Sequence, residues 1–166
     1  MGEQAAAANT QTARDAFKSA IGSIAAGIGT RPLDEKLEGW LNATYPSDGP
    51  TFRHLSALIE QGAREGWLCQ RTADGIAFGR AIKPGGAAGR FSVDVVRMDN
   101  VVGPHHVHTT GEIGMIMPFK GDALFDGKGQ GWYVYGPASS HSPTVTGGAA
   151  YILYLLPDGA IEFTRT

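Results

Sequence analysis

Short β-rich runs separated by glycine or proline occupy the chain from residue 67 onward, and this pattern restricts the fold more than any other feature of the sequence. A hairpin is predicted first, with strands at 67–71 and 76–82 around the turn Ala73-Asp74-Gly75. After a Gly/Pro loop, further runs follow at 91–98, 113–118, 123–125, 131–135, 149–156 and 160–164. No helical period separates these runs, so we expect an antiparallel sandwich or barrel of the jelly-roll kind.

The first 66 residues follow a helical period instead. Apolar residues recur at three- and four-residue spacing over 12–28, and two further helices are predicted, from the cap at Asp34 to Tyr45-Pro46 and from residue 51 or 52 to 64. Residues 1–8 are expected to be frayed. We therefore predict a helical extension at 1–66 and a β-barrel at 67–166, together forming one structural unit.

Charge and cysteine content exclude several classes of function. The formal net charge is -2 with no basic excess, so nucleic acid is not an expected partner. The N-terminus has neither a cationic segment nor a long apolar stretch, so we expect a cytoplasmic protein with no membrane association. Cys69 is the only cysteine. No internal disulfide can form, any metal must be held by histidine and carboxylate, and Cys69 is predicted to be an apolar residue of a strand.

Three histidines and one glutamate form the strongest chemical motif. His106 and His108 are two residues apart, so both point to the same side of an extended chain, and Glu112 has the same parity. The spacing His-x-His, three residues, then Glu resembles the first motif of the cupins, and His141 takes the place of the histidine in their second motif. The resemblance implies a cupin-type double-stranded β-helix that binds a divalent metal through these four side chains. The alternative is a histidine cluster hydrogen-bonded within a loop.

The second motif departs from the usual cupin pattern. Gly131 and Pro137 match it, but Ser139 stands where glycine is usual, and His141 arrives one residue early. His105 is out of phase with the two ligand histidines, so we interpret it as a neighbour of the metal ligands or a surface residue, with substrate contact as the alternative.

Further strings extend the resemblance beyond the metal motif. They are Gly66-Trp67-Leu68-Cys69, Phe91-Ser92-Val93-Asp94-Val95-Val96-Arg97-Met98, Gly103-Pro104-His105-His106, Gly111-Glu112-Ile113, Phe125-Asp126-Gly127, Gly131-Trp132, Val134-Tyr135-Gly136-Pro137 and Leu153-Tyr154-Leu155-Leu156-Pro157. Together they resemble the bacterial 4-hydroxylaminobenzoate lyase family, from the second predicted helix to the C-terminus. The resemblance implies conversion of 4-hydroxylaminobenzoate to protocatechuate with release of ammonium.

The implied reaction leaves the overall redox balance unchanged, so a Lewis-acidic metal is sufficient. Zinc is favoured, and iron, manganese or nickel are possible. The resemblance makes the four ligands the catalytic residues as well. Aromatic walls are expected from Trp132, Tyr133, Tyr135, Tyr151 and Tyr154, of which only some can face inward, since Trp132 and Tyr133 must point to opposite faces. Arg97 or Lys120 is the expected partner of the substrate carboxylate.

Two other functions use the same ligands. An iron-loaded site with open coordination positions could carry out oxygen-dependent cleavage of an aromatic ring or a diketone, and oxygen consumption would separate it from the lyase. A non-enzymatic cupin would bind a small molecule without turnover. A homodimer is expected, and the N-terminal helices are expected either to cover one end of the barrel or to form the dimer interface.

Overall fold

A computed structural model describes residues 2–164 as three helices and nine strands. The helices are α1 (Gly2–Ile28), α2 (Glu35–Thr44) and α3 (Pro50–Glu65). The strands are β1 (Arg71–Ala73), β2 (Ile76–Ile82), β3 (Phe91–Val102), β4 (His106–His108), β5 (Glu112–Phe125), β6 (Gly131–Tyr135), β7 (Ser139–His141), β8 (Thr144–Pro157) and β9 (Glu162–Phe163). Residue 1 and the last two residues of the predicted barrel segment 67–166 lie outside the described residues.

The helices begin and end at the signals that their sequences carry, with one exception. The Asp34 carboxylate caps α2 by accepting a hydrogen bond from the Leu37 amide at 3.0 Å. Pro50 begins α3, and Gly66 ends it in the left-handed region at φ 84°. The prediction that residues 1–8 are frayed is wrong for the described residues, because α1 already begins at Gly2. Residues 5–8 are four alanines, and alanine has the highest helix propensity of any residue type, which explains the early start.

The strands form two antiparallel sheets. The larger sheet has the order β1-β2-β3-β8-β5-β6, and the smaller one has the order β7-β4-β9. The prediction of a mainly β, jelly-roll cupin fold with about three N-terminal helices is confirmed. No hydrogen-bonded strand pair joins the two sheets within residues 2–164, so the barrel is open along its sides.

Two predicted strand boundaries are wrong. The first hairpin strand is β1, at Arg71–Ala73, rather than 67–71, and Cys69 lies in a bend before it with a φ of 54°. The two runs predicted at 113–118 and 123–125 belong to one long strand, β5, whose pairing with β8 shifts between Pro118 and Lys120 and again between Gly121 and Leu124. These bulges allow one strand to continue through residues that are typical of a turn.

The larger sheet has a different neighbour on each face. Successive residues of β3 point to opposite faces of this sheet. Val95 packs in the core shared with the helices, whereas Val96 packs in the core inside the barrel. In β6, Trp132 joins the helix-side core and Tyr133 the interior one, which confirms that they point to opposite faces. The helical segment therefore covers the outer face of the sheet, and the inner face remains for the metal-binding motif. None of the three described helices combines the length and the hydropathy needed to cross a membrane.

Candidate metal centre

The three predicted histidine ligands converge on one point. His106 pairs with His141 across β4 and β7, and His108 follows on the same side of β4. Their three Nε2 atoms form a triangle with sides of 3.0 Å. Two nitrogen ligands about 2.1 Å from a metal and at right angles to each other lie about 3.0 Å apart. The triangle therefore fits three ligands on one side of a divalent cation.

The other ring nitrogens show which atoms face that point. His106 Nδ1 lies 3.0 Å from the carbonyl oxygen of Pro104, and His141 Nδ1 lies 2.7 Å from Asp126 Oδ2. Both partners are acceptors, so each Nδ1 carries the proton and each Nε2 presents a lone pair to the centre. The lone pairs of His106 and His141 therefore face the same centre as His108 Nε2, and a cation at that centre would stabilise the cluster, which supports a divalent metal site.

Burial keeps two of these rings neutral. Loss of solvent, and then the neighbouring imidazoles, lowers the pKa of His106 to about 4 and that of His108 to about 3. The buried His108 Nδ1 has no hydrogen-bond partner among the described residues. Neutral imidazole is the form that binds a metal, so the charge state and the geometry agree.

Glu112 lies at the edge of the histidine triangle. Its Oε2 is 3.4 Å from His108 Nε2 and 3.9 Å from His141 Nε2, and it accepts a hydrogen bond from the Tyr133 hydroxyl at 3.1 Å. Burial raises the pKa of Glu112 to about 8, against the opposite effect of the Tyr133 hydrogen bond. A divalent cation nearby would lower that pKa, because it stabilises the carboxylate.

Gly114 allows Tyr133 to reach Glu112. A Cβ atom built at Gly114 would overlap the Tyr133 ring, which lies directly across this position. The ring is fully buried between Phe125 and Tyr135, with centroid distances of 5.3 and 4.8 Å. The absence of a side chain at 114 therefore decides where the tyrosine hydroxyl points.

Asp126 is a functional residue that sequence reasoning missed. Its Oδ2 accepts hydrogen bonds from the Tyr135 hydroxyl and from His141 Nδ1, both at 2.7 Å, and its Oδ1 accepts one from the Thr144 amide at 3.0 Å. Burial alone would raise the pKa of Asp126, but these hydrogen bonds outweigh it and lower the pKa. The string Phe125-Asp126-Gly127 was visible in the sequence, but an Asp-Gly pair after a strand is first of all a turn signal.

A cavity of about 210 Å³ opens beside the metal-binding residues. His106, Glu112 and His141 contribute to its wall. The remaining wall is mainly apolar, and it includes Ile76, Phe78, Val96, Met98, Phe125 and Ile152. An apolar cavity with a few polar groups at one end is typical of a site for a small aromatic molecule.

The C-terminal segment forms part of this wall. β9 pairs with β4, and in this pairing Phe163 lies opposite His106. The Phe163 ring is 5.4 Å from the His106 ring. His105 secures the segment, because the Thr164 amide donates to its carbonyl oxygen at 3.1 Å and its Nδ1 lies 2.6 Å from the Thr164 hydroxyl. His105 therefore acts next to the cavity without lining it.

The predicted substrate-binding aromatics lie in different places. Tyr154 lines the cavity. Tyr135 contacts His141 at a ring distance of 5.0 Å and donates to Asp126. Trp132 lies on the other face of the sheet, where its indole nitrogen donates to the carbonyl oxygen of Tyr45 at 3.0 Å.

Neither predicted cation lines the cavity. Arg97 lies on the outer face, in a surface pocket that also contains Cys69 and Tyr151. The Lys120 ammonium is exposed and lies 3.9 Å from an Asp99 oxygen. Burial raises the pKa of the Cys69 thiol to about 11, which suits an unreactive residue.

Comparisons with known proteins identify the family of the chain. The family model described as PnbB, 4-hydroxylaminobenzoate lyase, matches residues 19–163. A 4-hydroxylaminobenzoate lyase from Nocardioides sp. (strain LMS-CY) is 34% identical over 145 residues, covering 82% of this chain and 86% of that protein. A second one, from Pseudomonas putida, is 29% identical over 155 residues, covering 83% and 88%.

Solved structures show more distant likenesses. The polyketide cyclase RemF from Streptomyces resistomycificus aligns with a TM-score of 0.44 and 13% identity over 57% of this chain and 74% of its own. An RmlC-like cupin from Ralstonia eutropha JMP134 aligns with a TM-score of 0.43 and 11% identity over 56% and 62%. The family match spans most of the chain, and it includes all three histidines of the triangle. The chain therefore belongs to the 4-hydroxylaminobenzoate lyase family and is a lyase.

Proposed function

We propose that this protein is a metal-dependent lyase that converts 4-hydroxylaminobenzoate and water to protocatechuate and ammonium. The observation that carries the proposal is the triangle of His106, His108 and His141 Nε2 atoms beside Glu112, at one end of an apolar cavity. The family match supports the lyase reaction, and the triangle supports a metal at its centre.

The three histidines and Glu112 are the proposed metal ligands. A bound divalent cation would supply Lewis acidity at the end of the cavity where these side chains meet. Zinc is favoured because the reaction needs no change of metal oxidation state, although imidazole and carboxylate ligands also suit iron, manganese or nickel. Glu112 Oε2 is held by the Tyr133 hydroxyl, which orients the carboxylate toward His108 and His141.

The apolar wall is proposed to hold the aromatic ring. Phe78, Val96 and Ile152 exclude water from the ring, and Tyr154 offers a hydroxyl within the same wall. Phe163 covers the cavity next to His106. These residues orient the substrate and keep bulk water away from the metal-binding end, which favours a single productive position of the ring.

The test is to incubate the purified protein with 4-hydroxylaminobenzoate without oxygen and to follow both products. Protocatechuate and ammonium should appear in equal amounts, and removal of the metal by a chelator should stop both. Turnover that requires oxygen would contradict the lyase in favour of an oxygenase. Equal turnover by protein shown to contain no metal would contradict the metal dependence.

The proposal includes a cytoplasmic homodimer that binds one small aromatic acid per site. Sedimentation equilibrium of the purified protein should give twice the 17.5 kDa mass of the chain. A mass of 17.5 kDa at micromolar concentration would contradict the dimer.

A further inference from the structure

The free edge of β6 is covered by two side chains of α2. β6 is the last strand of the six-stranded sheet, and among the described strands only β5 pairs with it. An edge strand leaves every second N–H and C=O group without a strand partner. Here Asn42 Oδ1 accepts from the Trp132 N–H and Asn42 Nδ2 donates to the Trp132 carbonyl oxygen, both at 3.0 Å. Glu38 Oε1 accepts from the Val134 N–H at 2.9 Å.

The helix holds both side chains ready for these contacts. Glu38 and Asn42 are four residues apart on α2, so they lie on the same side of the helix. Asn42 Nδ2 also donates to the carbonyl oxygen of Glu38 at 3.0 Å, which fixes the orientation of the amide. Four residues of helix rise about 6 Å and two residues of strand about 7 Å, so the two contacts match in spacing. α2 therefore takes the place of a neighbouring strand.

β6 carries the two tyrosines that hold the polar groups of the metal centre. Tyr133 lies between the two anchored residues of the strand, and its hydroxyl donates to Glu112 at 3.1 Å. The Tyr135 hydroxyl donates to Asp126 at 2.7 Å, and the same carboxylate oxygen lies 2.7 Å from His141 Nδ1. The two tyrosine rings pack together with their centres 4.8 Å apart. A shift of the β6 backbone would therefore move both hydroxyls.

We propose that Glu38 and Asn42 are positioning residues of the metal centre, which act through β6 and the hydroxyls of Tyr133 and Tyr135. This inference rests on the metal site of the proposed function. The side chains of α2 fix the backbone of β6, the backbone fixes the two hydroxyls, and the hydroxyls orient the carboxylates of the site. The helical segment thus acts on the edge of the sheet as well as on its outer face.

A helix that only covered the sheet edge would have a different effect. Such a cover stabilises the fold and prevents pairing with another chain, but it does not alter the ligands. A modest loss of stability leaves nearly all molecules folded, so it does not by itself weaken metal binding. Metal affinity compared at similar stability therefore distinguishes positioning from cover.

The first experiment measures Zn²⁺ affinity by competition with a metal-binding dye. N42A and E38A should each weaken binding about 3- to 10-fold, less than the about 10- to 100-fold expected for a residue in direct contact with a ligand. E38Q keeps an acceptor oxygen for the Val134 N–H and should bind like wild type. D34A is the matched control, because it removes the cap of the same helix without contacting β6.

Three outcomes would contradict the inference in different ways. Wild-type affinity in both N42A and E38A, or an equal loss in D34A, would overturn the positioning role alone. A wild-type protein that binds none of zinc, iron, manganese and nickel would overturn the proposed metal site together with this inference.

The second experiment tests the route through the tyrosines. N42A should have little further effect on affinity in a Y133F/Y135F background, because both hydroxyls through which it acts are already absent. A full additional loss would show that Asn42 acts by another route.

Amide exchange in the metal-free protein tests the first step without any metal. N42A should speed exchange of the Trp132 amide, and E38A that of the Val134 amide, with protection restored in E38Q. Unchanged exchange in both alanine variants would show that α2 does not fix the β6 backbone.

Discussion

The two faces of the six-stranded sheet differ in what they contact. On the outer face, residues such as Val95 and Leu153 are fully buried against the three helices, together with Phe52. On the inner face, Val96 and Met98 border a cavity, and the polar groups of the metal centre lie at its end. Neighbouring residues of one strand therefore serve different purposes. The outer residues stabilise the fold, and the inner residues form the site.

The largest expected effect comes from the inner face. H108A should abolish both metal retention and turnover, because it removes one of three converging Nε2 atoms from a fully buried position. Metal content by elemental analysis and ammonium release measure the two effects. H54A is the matched control, since His54 is exposed on α3. Full metal content in H108A, together with an intact melting transition, would contradict the proposed metal site.

A substitution on the outer face should lower stability and leave metal binding unchanged. F52A should lower the free energy of unfolding by about 3–5 kcal/mol, because it empties a fully buried position between helix and sheet. Metal bound per folded molecule should not change. F163A provides the comparison, since Phe163 is 60% exposed and its loss should cost much less stability. Urea unfolding and metal analysis of both variants would test the separation, and loss of metal from folded F52A would contradict it.

Asp126 should affect metal affinity more than stability. D126N should weaken metal binding about 10- to 100-fold, because it alters the hydrogen bond that holds the His141 ring. Y135F removes a different hydrogen bond to the same carboxylate and should have a smaller effect. Competition with a metal-binding dye gives the affinities. Wild-type affinity in D126N would show that Asp126 does not orient the ligand.

The smallest effect is expected at the N-cap of α2, which does not line the cavity. D34A should lower the free energy of unfolding by about 1 kcal/mol, because the first turn of α2 loses its side-chain acceptor. D34N keeps an equivalent cap and should be close to wild type. Thermal melts measure both, and metal affinity should remain the same in each. A change of metal affinity in D34A would show that the first turn of α2 also reaches the site.

The parity of the metal motif was predictable, but its supporting residues were not. His106, His108 and Glu112 share one side of the chain by alternation alone, and the later His141 completed the set by resemblance. Asp126 reaches His141 across fifteen residues through a turn, and no local pattern marks that contact. Supporting contacts of this kind depend on how separate strands are placed.

The sequence also could not predict which face of the sheet carries each proposed substrate-binding residue. Alternation states that Trp132 and Tyr133 point to opposite faces, but it does not state which face is the outer one. The helices decide this, because they bury the face that carries Trp132. Arg97 has the same parity as Val95, so it also lies on the outer side.

The sequence by itself determined the division into a helical N-terminal part and a β-rich remainder, the shared side of the metal-binding residues and the family. These properties depend on local propensity, on the two-residue period of a strand and on short strings. The tertiary structure alone decided which side of each strand became the cavity, that Asp126 supports His141, and that Arg97 and Lys120 do not line the cavity. The physical reason is that packing between distant segments selects one face of the sheet for the helices and leaves the other for the site.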